Sequence, residues 1–386
     1  MARIFFFFFF FLLLVVVPSR AFVVGSGAAP RLAAIEAHDA SRRELIAEVA
    51  ALAGLWVPGS ALAADGRVVS ESELLGFSRQ PARKVVITGA NSGVGLAGAK
   101  LLSSAGHEVV CACRTLERAE RAAAACGPTA QPAVCDLADL ASVRAFAASD
   151  AARGLDTLAL NAGVALNTKD TVPRRTKDGF ELTIGTNHLG HFLLYRLLEE
   201  ELKKRPTNRL VVTASPVHDP TTGGGKVGSP ATLGDFAGLR AGPGFDMCDG
   251  GSYDPEKAYK DSKLCNMMFT AEAARRLSPS GVTANAFSPG LIPSPDGFFK
   301  YQNPVFARVF STIATAVGVA ETPAFGGSCL AFMAADASLD GVSGAWYDTE
   351  PPGKHQLLCH DPSDEARDLE KQKLLWALSD KLVGLA

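Results

Sequence analysis

The chain has 386 residues, with 38 Lys and Arg against 40 Asp and Glu, a formal net charge of −2 and 47% apolar side chains. The near-neutral charge and the absence of a basic block argue against nucleic acid as a partner. The eight cysteines lie mostly in apolar runs without the paired spacing of metal ligands, which indicates buried thiols in a reducing compartment. We expect Cys111 and Cys113 to face opposite sides of one strand, and no metal site is predicted.

The N-terminal segment has the pattern of a targeting leader. Arg3 precedes an unbroken apolar run, Ile4–Val17, that is short for a membrane span. The sequence therefore predicts a signal peptide over 1–21, followed by an alanine-rich, transit-type leader over 22–83. A twin-arginine signal around Arg42 and simple secretion are the alternative interpretations of this leader.

A glycine-rich turn between a predicted strand and a predicted helix is the first chemical motif. The strand is the apolar run Lys84–Ile87, and the helix is Leu96–Ser104. Such a unit aims the helix N-terminus at a pyrophosphate, and glycine lets backbone and phosphate approach closely. By itself the pattern also fits a turn that only closes a βα unit. The residues predicted to hold a dinucleotide here are Gly89, Asn91, Ser92, Gly93, Val94 and Gly95.

Charged and small residues follow the next predicted strands. The run His107–Cys113 ends at Arg114, where an NAD-binding unit carries an acid. A guanidinium there, with Arg118 one helical turn later, suits the 2′-phosphate of NADPH, although two surface arginines would look the same. After Pro132–Cys135 and Thr157–Leu160, the further predicted cofactor residues are Asp136, Leu137, Asn161, Ala162 and Gly163.

Tyr259 and Lys263 lie four residues apart in a predicted helix over Glu256–Leu277, so they share one helical face. A phenol has an unperturbed pKa of about 10, and a nearby ammonium lowers it, which gives a tuned proton donor. Alone, this spacing is typical of an exposed helix face. Together with the glycine-rich turn, it predicts an enzyme that transfers a hydride and a proton.

With these motifs the chain resembles the short-chain dehydrogenases/reductases. The family pattern carries over to Tyr259, Lys263, Asn187 and Ser215 as catalytic residues, and to Pro289 and Gly290 beside the cofactor. The resemblance implies an NADPH-binding catalytic domain over 84–386. Alternating apolar runs and helical segments predict the same α/β fold, a Rossmann-type doubly wound parallel sheet.

Within this family the chain resembles the light-dependent protochlorophyllide reductases. The segments that carry the likeness are Asn187–Leu194, Leu233–Asp235, Ala258–Met267, the terminus Lys381–Ala386 and two long insertions, Pro216–Asp254 and Ile292–Val319. The likeness implies light-driven hydride transfer from NADPH to ring D of protochlorophyllide, with the proton from Tyr259. Lys263 would hold the ribose, Asn187 would position a water or backbone relay, and Ser215 would orient the substrate.

The same likeness implies a plastid location, reached through a leader similar to the two-part leaders of algae with secondary plastids. It also suggests peripheral association with a plastid membrane and a homo-oligomer. The two insertions are expected to form the pigment site and its lid, although an aromatic cluster can also pack on itself. The substrate residues predicted in this way are Leu291, Phe298, Phe299, Tyr301 and Phe306.

Leu291 departs from the family pattern, because these reductases typically carry a cysteine after the Pro-Gly pair. Leucine packs against a ring but donates no proton and no hydrogen bond. This change favours a second hypothesis, a dark-active NADPH-dependent carbonyl reductase in which Ser215 and Tyr259 polarise and protonate the oxygen. A third hypothesis, a binding scaffold without turnover, is opposed by the intact Tyr259 and Lys263.

Overall fold

The sheet consists of nine strands. The computed structural model describes residues 66–293, 304–349 and 351–386. In this part of the chain the strands are β1 Val68–Val69, β2 Lys84–Thr88, β3 Glu108–Cys113, β4 Ala130–Val134, β5 Thr157–Leu160, β6 Arg209–Thr213, β7 Thr283–Phe287, β8 Trp346–Asp348 and β9 Leu357–Cys359. They form one sheet in the order β1-β9-β8-β7-β6-β5-β2-β3-β4.

The strands from β2 to β8 are parallel, which confirms the predicted doubly wound sheet. Val86 in the middle of β2 lies opposite Val110 of β3 on one side and Leu158 of β5 on the other. All three side chains are buried, as expected for a parallel sheet covered on both faces. Strands β9 and β1 extend the β8 edge in antiparallel order.

Helices cover both faces of the sheet. They are α1 Glu71–Leu75, α2 Gly93–Ser104, α3 Leu116–Cys126, α4 Leu140–Ala148, α5 Leu182–Ile184, a π-helical turn Gly185–Leu189, α6 Gly190–Leu202, α7 Ala237–Ala241, α8 Pro255–Leu277, α9 Pro304–Ala316, α10 Pro323–Ala335, α11 Asp364–Arg367 and α12 Leu369–Leu382. Four short 3₁₀ turns, Asp150–Ala152, Pro216–His218, Ser278–Ser280 and Ala337–Leu339, complete the described elements.

Two separate cores lie on the two sides of the sheet. Val85 and Ile87 point into the core formed with α2, α3 and α10, and Val86 points into the core formed with α4, α6, α8 and α12. Helices α2 and α10 approach so closely that a Cβ on Gly327 would lie 2.5 Å from the Cβ of Ala97. This contact fixes the start of α2, and with it the glycine-rich turn.

Local sequence signals determine where α8 begins. The side chain of Asp254 accepts hydrogen bonds from the backbone N–H groups of Glu256 and Lys257, at 3.0 and 3.1 Å, and Pro255 occupies the first helical position. Both features are typical of a helix N-terminus. They place Tyr259 and Lys263 on the second and third turns of a helix that is mostly buried.

Residues 66–83 already belong to the folded unit, so the structure adds them to the domain predicted from residue 84. Val68 of β1 pairs with Leu358 of β9, and α1 packs against α10. The backbone N–H of Ser78 also donates to Asp336 at 2.9 Å. Residues 1–65 of the leader predicted over 1–83 lie outside the described residues.

Cys111 and Cys113 both point into the same core, so the prediction that they face opposite sides was wrong. Residues two apart in a strand share a face, because side chains alternate with a period of two. All eight cysteines are free thiols. In the described ranges, no three His, Cys, Asp or Glu side chains group to hold a metal ion, and no helix has the length and hydropathy of a membrane span.

Two adjacent leucines test whether α1 is part of the fold. Leu74 is fully buried and Leu75 is 61% exposed. We predict that Leu74→Ala lowers the free energy of unfolding by about 2–5 kcal/mol, the range for a large core truncation. The matched change Leu75→Ala should alter it by less than about 0.5 kcal/mol. Urea unfolding of both variants measures this, and equally small effects would show that α1 is not packed in solution.

Candidate active site

A cavity of about 1080 Å³ lies at the carboxyl ends of the parallel strands, where doubly wound folds bind ligands. Its walls come from the loops that follow β2 to β8 together with the start of α8. The predicted residues that line it are Gly89, Asn91, Ser92, Gly93, Val94, Gly95, Arg114, Arg118, Asp136, Leu137, Asn161, Ala162, Gly163, Ser215, Tyr259, Lys263, Pro289, Gly290 and Leu291. Asn187 is buried behind this wall.

The glycine-rich turn has the shape that a phosphate cradle requires. Gly89 adopts a φ of +69°, and a Cβ there would lie 2.9 Å from the Cβ of Ala162. A Cβ on Gly95 would lie 2.5 Å from the carbonyl oxygen of Gly89 and 2.6 Å from Nδ2 of Asn161. A side chain is therefore excluded at Gly89 and at Gly95, and the N-terminus of α2 is open to an anion. The chain fits a dinucleotide at this position.

Thr88, the last residue of β2, connects this turn to the turn after β5. Its hydroxyl oxygen accepts hydrogen bonds from the backbone N–H groups of Asn161 and Ala162, at 2.9 and 3.0 Å. Nδ2 of Asn161 in turn donates to the Thr88 carbonyl at 3.0 Å. Sequence reasoning missed Thr88, because a threonine at the end of a strand is a common β-former.

His191 orients the Thr88 hydroxyl. Its Nε2 lies 2.9 Å from that hydroxyl, and its Nδ1 lies 3.0 Å from the carbonyl oxygen of Asn187. Burial lowers the pKa of His191 to about 4, so the ring is neutral at pH 7. A carbonyl only accepts, so Nδ1 carries the ring proton and Nε2 accepts from the hydroxyl. Both lone pairs of Thr88 remain for the two N–H groups.

Asn187 joins the Gly163 loop to the helix that carries Tyr259. It lies in the π-helical turn, a feature frequent at functional sites. Its Oδ1 accepts from the backbone N–H of Val164 at 2.8 Å, and its Nδ2 donates to the Val164 carbonyl and to Oγ of Ser262, both at 3.0 Å. Its amide is fully engaged by protein groups, and its predicted role in a relay stays a prediction.

Three of the predicted catalytic side chains meet in the cavity. Nζ of Lys263 lies 5.5 Å from the ring centroid of Tyr259 and donates to the Thr213 carbonyl at 3.1 Å. The hydroxyl of Tyr259 is hydrogen-bonded to Ser215. Ser215 itself caps the short 3₁₀ turn that follows β6. The arrangement places a proton donor, a second hydroxyl and an amine on one wall.

The expected lowering of the Tyr259 pKa by Lys263 was wrong. Burial raises the pKa of the Tyr259 phenol above its usual value, and the hydrogen bond with Ser215 only partly opposes this. Burial also lowers the pKa of Lys263 to about 8. Removal from water favours the neutral form of each group, and it is the largest cause of both shifts. A neutral phenol keeps the proton that a reduction requires.

Arginines form one end of the cavity. Arg114 is exposed directly after β3, and Arg118 is half-buried on the first turn of α3. Within the described part of the chain neither makes an ion pair, whereas Arg121, a third lining arginine, lies 3.7 Å from Glu117. The sequence analysis missed Arg121, although its position one turn beyond Arg118 was a signal.

Asp136 and Leu137 form the wall beside these arginines. Oδ1 of Asp136 accepts from the backbone N–H of Ala138 at 3.1 Å, which fixes the turn after β4. Leu137 is buried, and its carbonyl would lie 2.4 Å from a Cβ on Gly190. The start of α6 is therefore packed directly against this side of the cavity.

The loop after β7 forms the opposite end. Gly290 has a φ of +82°, and a Cβ there would lie 2.6 Å from Cγ of Glu321 and 2.8 Å from Oγ1 of Thr349. Leu291 is half-buried and places an aliphatic side chain in the cavity where the resemblance implied a cysteine thiol. Glu321 and Thr349 also line the cavity, and sequence analysis did not identify them.

Both insertions reach the cavity. The first contributes Pro216, Val217, Thr222, Gly223 and Gly224, and the second contributes Ile292 and Val319. Three predicted substrate residues, Phe298, Phe299 and Tyr301, lie outside the described residues, and so does the side chain of Phe306. The aromatic part of the substrate site stays a prediction.

The chain is similar in sequence to the short chain dehydrogenase family and to protochlorophyllide reductases. Residues 83–224 match the short chain dehydrogenase family. A chloroplastic protochlorophyllide reductase from Cucumis sativus is 42% identical over 319 residues, which cover 78% of each chain. Protochlorophyllide reductase A, chloroplastic, from Arabidopsis thaliana is 42% identical over 320 residues, covering 78% of this chain and 77% of that protein. A solved structure, an uncharacterised protein from Mycobacterium paratuberculosis, is 29% identical, with a TM-score of 0.61, covering 83% of this chain and 98% of that one.

The low pKa of Lys263 predicts a pH dependence of dinucleotide binding. Below about pH 8 the amine is charged and available to a ribose hydroxyl, and above it the charge is lost. We predict that the dissociation constant is flat from pH 6.5 to about pH 8 and then rises by up to about tenfold per pH unit. Fluorescence titration measures this. Lys263→Met should bind weakly with no such step, and a flat wild-type curve up to pH 9.5 would contradict the assignment.

Proposed function

The chain belongs to the short-chain dehydrogenases, in their protochlorophyllide reductase branch, and we propose that it reduces protochlorophyllide to chlorophyllide with NADPH in a light-dependent reaction. The observation that carries the proposal is one cavity that combines the turn at Gly89–Gly95, where Gly89 and Gly95 leave no room for a side chain, with Tyr259 and Lys263. The first feature suits a dinucleotide phosphate and the second suits proton donation.

Each described residue has a proposed task. NADPH, when bound, supplies the hydride for one carbon of the ring D double bond, and light absorbed by the pigment starts the reaction. Tyr259 gives the other carbon its proton, which the phenol retains at neutral pH because burial raises its pKa. Lys263 holds the ribose hydroxyls, and Asn187 keeps the Gly163 loop against α8. Ser215 fixes the direction of the phenol O–H.

The choice of NADPH over NADH rests on the arginine end of the cavity. Arg114 and Arg118 offer two guanidinium groups, and neither is paired with an acid in the described ranges. A 2′-phosphate is a dianionic acceptor that such groups bind in two-bond geometry. NADH presents only ribose hydroxyls at this position, and a guanidinium gains much less from a neutral hydroxyl.

We place the protein in a plastid, as the names of its chloroplastic relatives and the pattern of its leader support. Peripheral association with a membrane and self-association remain part of the proposal. Val309 of α9 and Val317 directly after it are 48% and 39% exposed, and this apolar surface of the second insertion supports such a contact.

A flash experiment tests the proposed reaction. The protein is mixed with NADPH and protochlorophyllide in darkness, and absorbance is recorded before and after one flash. We predict a red-shifted dark complex that converts to chlorophyllide only after illumination. Conversion in darkness, or conversion of carbonyl compounds instead, would favour the dark carbonyl reductase. Bound pigment that does not convert would point to Leu291, and Leu291→Cys should then restore conversion.

Charge removal at the arginine end tests the cofactor assignment. We predict that Arg114→Gln weakens NADPH binding by about 10- to 100-fold, which corresponds to the loss of about 1.5–3 kcal/mol from a charged hydrogen bond. NADH affinity should change by less than about twofold, because NADH lacks the 2′-phosphate. Arg153→Gln, which removes an exposed arginine outside the cavity, is the control. Equal losses for both cofactors would contradict the assignment.

A further inference from the structure

A buried carboxylate that the proposed mechanism does not use lies at the end of the cavity formed by the loop after β7. Glu321 lines the cavity, and its side chain is only 1% exposed. Burial raises the pKa of this carboxyl, and the neighbouring His355 opposes the rise. Burying a carboxylate is costly unless protein groups bind it, so its contacts indicate its purpose.

Glu321 binds three segments of the chain at once. Its backbone N–H donates to the carbonyl of Leu291 at 2.8 Å. Its Oε1 accepts from the backbone N–H of Gly353 at 3.1 Å, and its Oε2 lies 2.7 Å from Nδ1 of His355. The loop after β7, the loop after β8 and the segment that carries Glu321 therefore meet at this one residue, the first through its backbone N–H and the second through its carboxylate.

The packing around this point leaves little room for movement. A Cβ on Gly353 would lie 1.7 Å from the carbonyl oxygen of Gly318, and a Cβ on Gly290 would contact Glu321 itself. His355 adopts a φ of +51°, which is uncommon for a residue with a side chain, and its ring packs on Phe325 at 5.3 Å. The segments that form this wall are therefore closely packed, and Glu321 connects them.

We propose that Glu321 is a positioning residue for the reaction. Its carboxylate binds the 351–355 loop and its side chain packs against Gly290, where a Cβ would lie 2.6 Å from its Cγ, so it holds the Pro289–Leu291 wall in place. This wall lines the same cavity as Tyr259 and Lys263. The inference rests on the proposed function, in which the reacting ends of cofactor and pigment meet there. Oε1 of Glu321 accepts from the Gly353 N–H and Oε2 lies at ion-pair distance from His355, so the side chain acts through the wall and not on the substrate.

Two substitutions of the same residue separate positioning from direct chemistry. Glu321→Gln keeps an oxygen for the Gly353 N–H and an amide beside His355, so it should convert pigment at close to the wild-type yield per flash. Glu321→Ala removes both contacts, and we expect the yield to fall by about 10- to 100-fold, the scale of a misplaced reacting group. The dissociation constant for NADPH should change less than about threefold, because the cradle and the arginines are untouched.

Hydrogen exchange gives a readout that does not depend on turnover. In Glu321→Ala the backbone amides of Gly353, Lys354 and His355 should exchange at least about tenfold faster, and in Glu321→Gln they should stay protected. Glu201→Ala is the matched control, since Glu201 accepts from the Gly154 backbone at 2.6 Å outside the cavity. It should leave the yield unchanged.

Three results would overturn the inference. One is a Glu321→Gln variant as inactive as Glu321→Ala, which would mean that the charge itself takes part. The second is a normal yield in Glu321→Ala. The third is unchanged hydrogen exchange at the backbone amides of Gly353, Lys354 and His355 in that variant. A wild-type protein that converts no pigment would instead contradict the proposed function, and the exchange experiment would still decide whether Glu321 holds the wall.

Discussion

The hydroxyl of Thr88 is the contact on which the site depends. It holds the turn after β2 against the turn after β5, where a Cβ on Gly89 or Gly95 would collide with Ala162, Asn161 or the opposing backbone. Through neutral His191 the same hydroxyl is linked to the π-helical turn and Asn187, and through Ser262 to the start of α8. The phosphate cradle and the helix that carries the proton donor are therefore connected by one buried hydrogen-bond network.

The order of the strands in the sheet places chemically different residues at the two ends of the cavity. Arg114 follows β3 and Leu291 follows β7, four strands apart, which corresponds to about 19 Å at the usual strand spacing. The cavity is cationic at the first end, Tyr259 and Lys263 lie between the ends, and the second end combines Leu291, Ile292 and Val319 with Glu321 and Asp348. The first end suits a phosphate-bearing cofactor, and the apolar side chains of the second end offer contacts to a flat pigment. Burial keeps the phenol protonated in the middle.

The sequence predicted the strands and helices that carry strong periodicity. Helix α8 begins within one residue of its expected start, and β2, β3 and β5 agree closely. Contacts between distant segments were not predictable: Glu321 meets Leu291 and His355 only through the fold, and residues 66–83 carry too little periodicity to reveal β1 and α1. The pKa of Tyr259 was predicted in the wrong direction because burial, which spacing does not reveal, outweighs the nearby amine.

In the proposed mechanism, Tyr259 gives the proton that completes a light-started reduction. Its most direct test is to follow absorbance after a single laser flash in H₂O and in D₂O, with wild-type protein and with Tyr259→Phe. We predict that the wild type forms an intermediate and then product, and that the second step, the proton transfer, is slower in D₂O. Tyr259→Phe should bind NADPH normally and slow that step by about 10²–10⁴-fold, the usual contribution of a general acid. An unchanged rate of the second step in Tyr259→Phe would show that Tyr259 is not the proton donor.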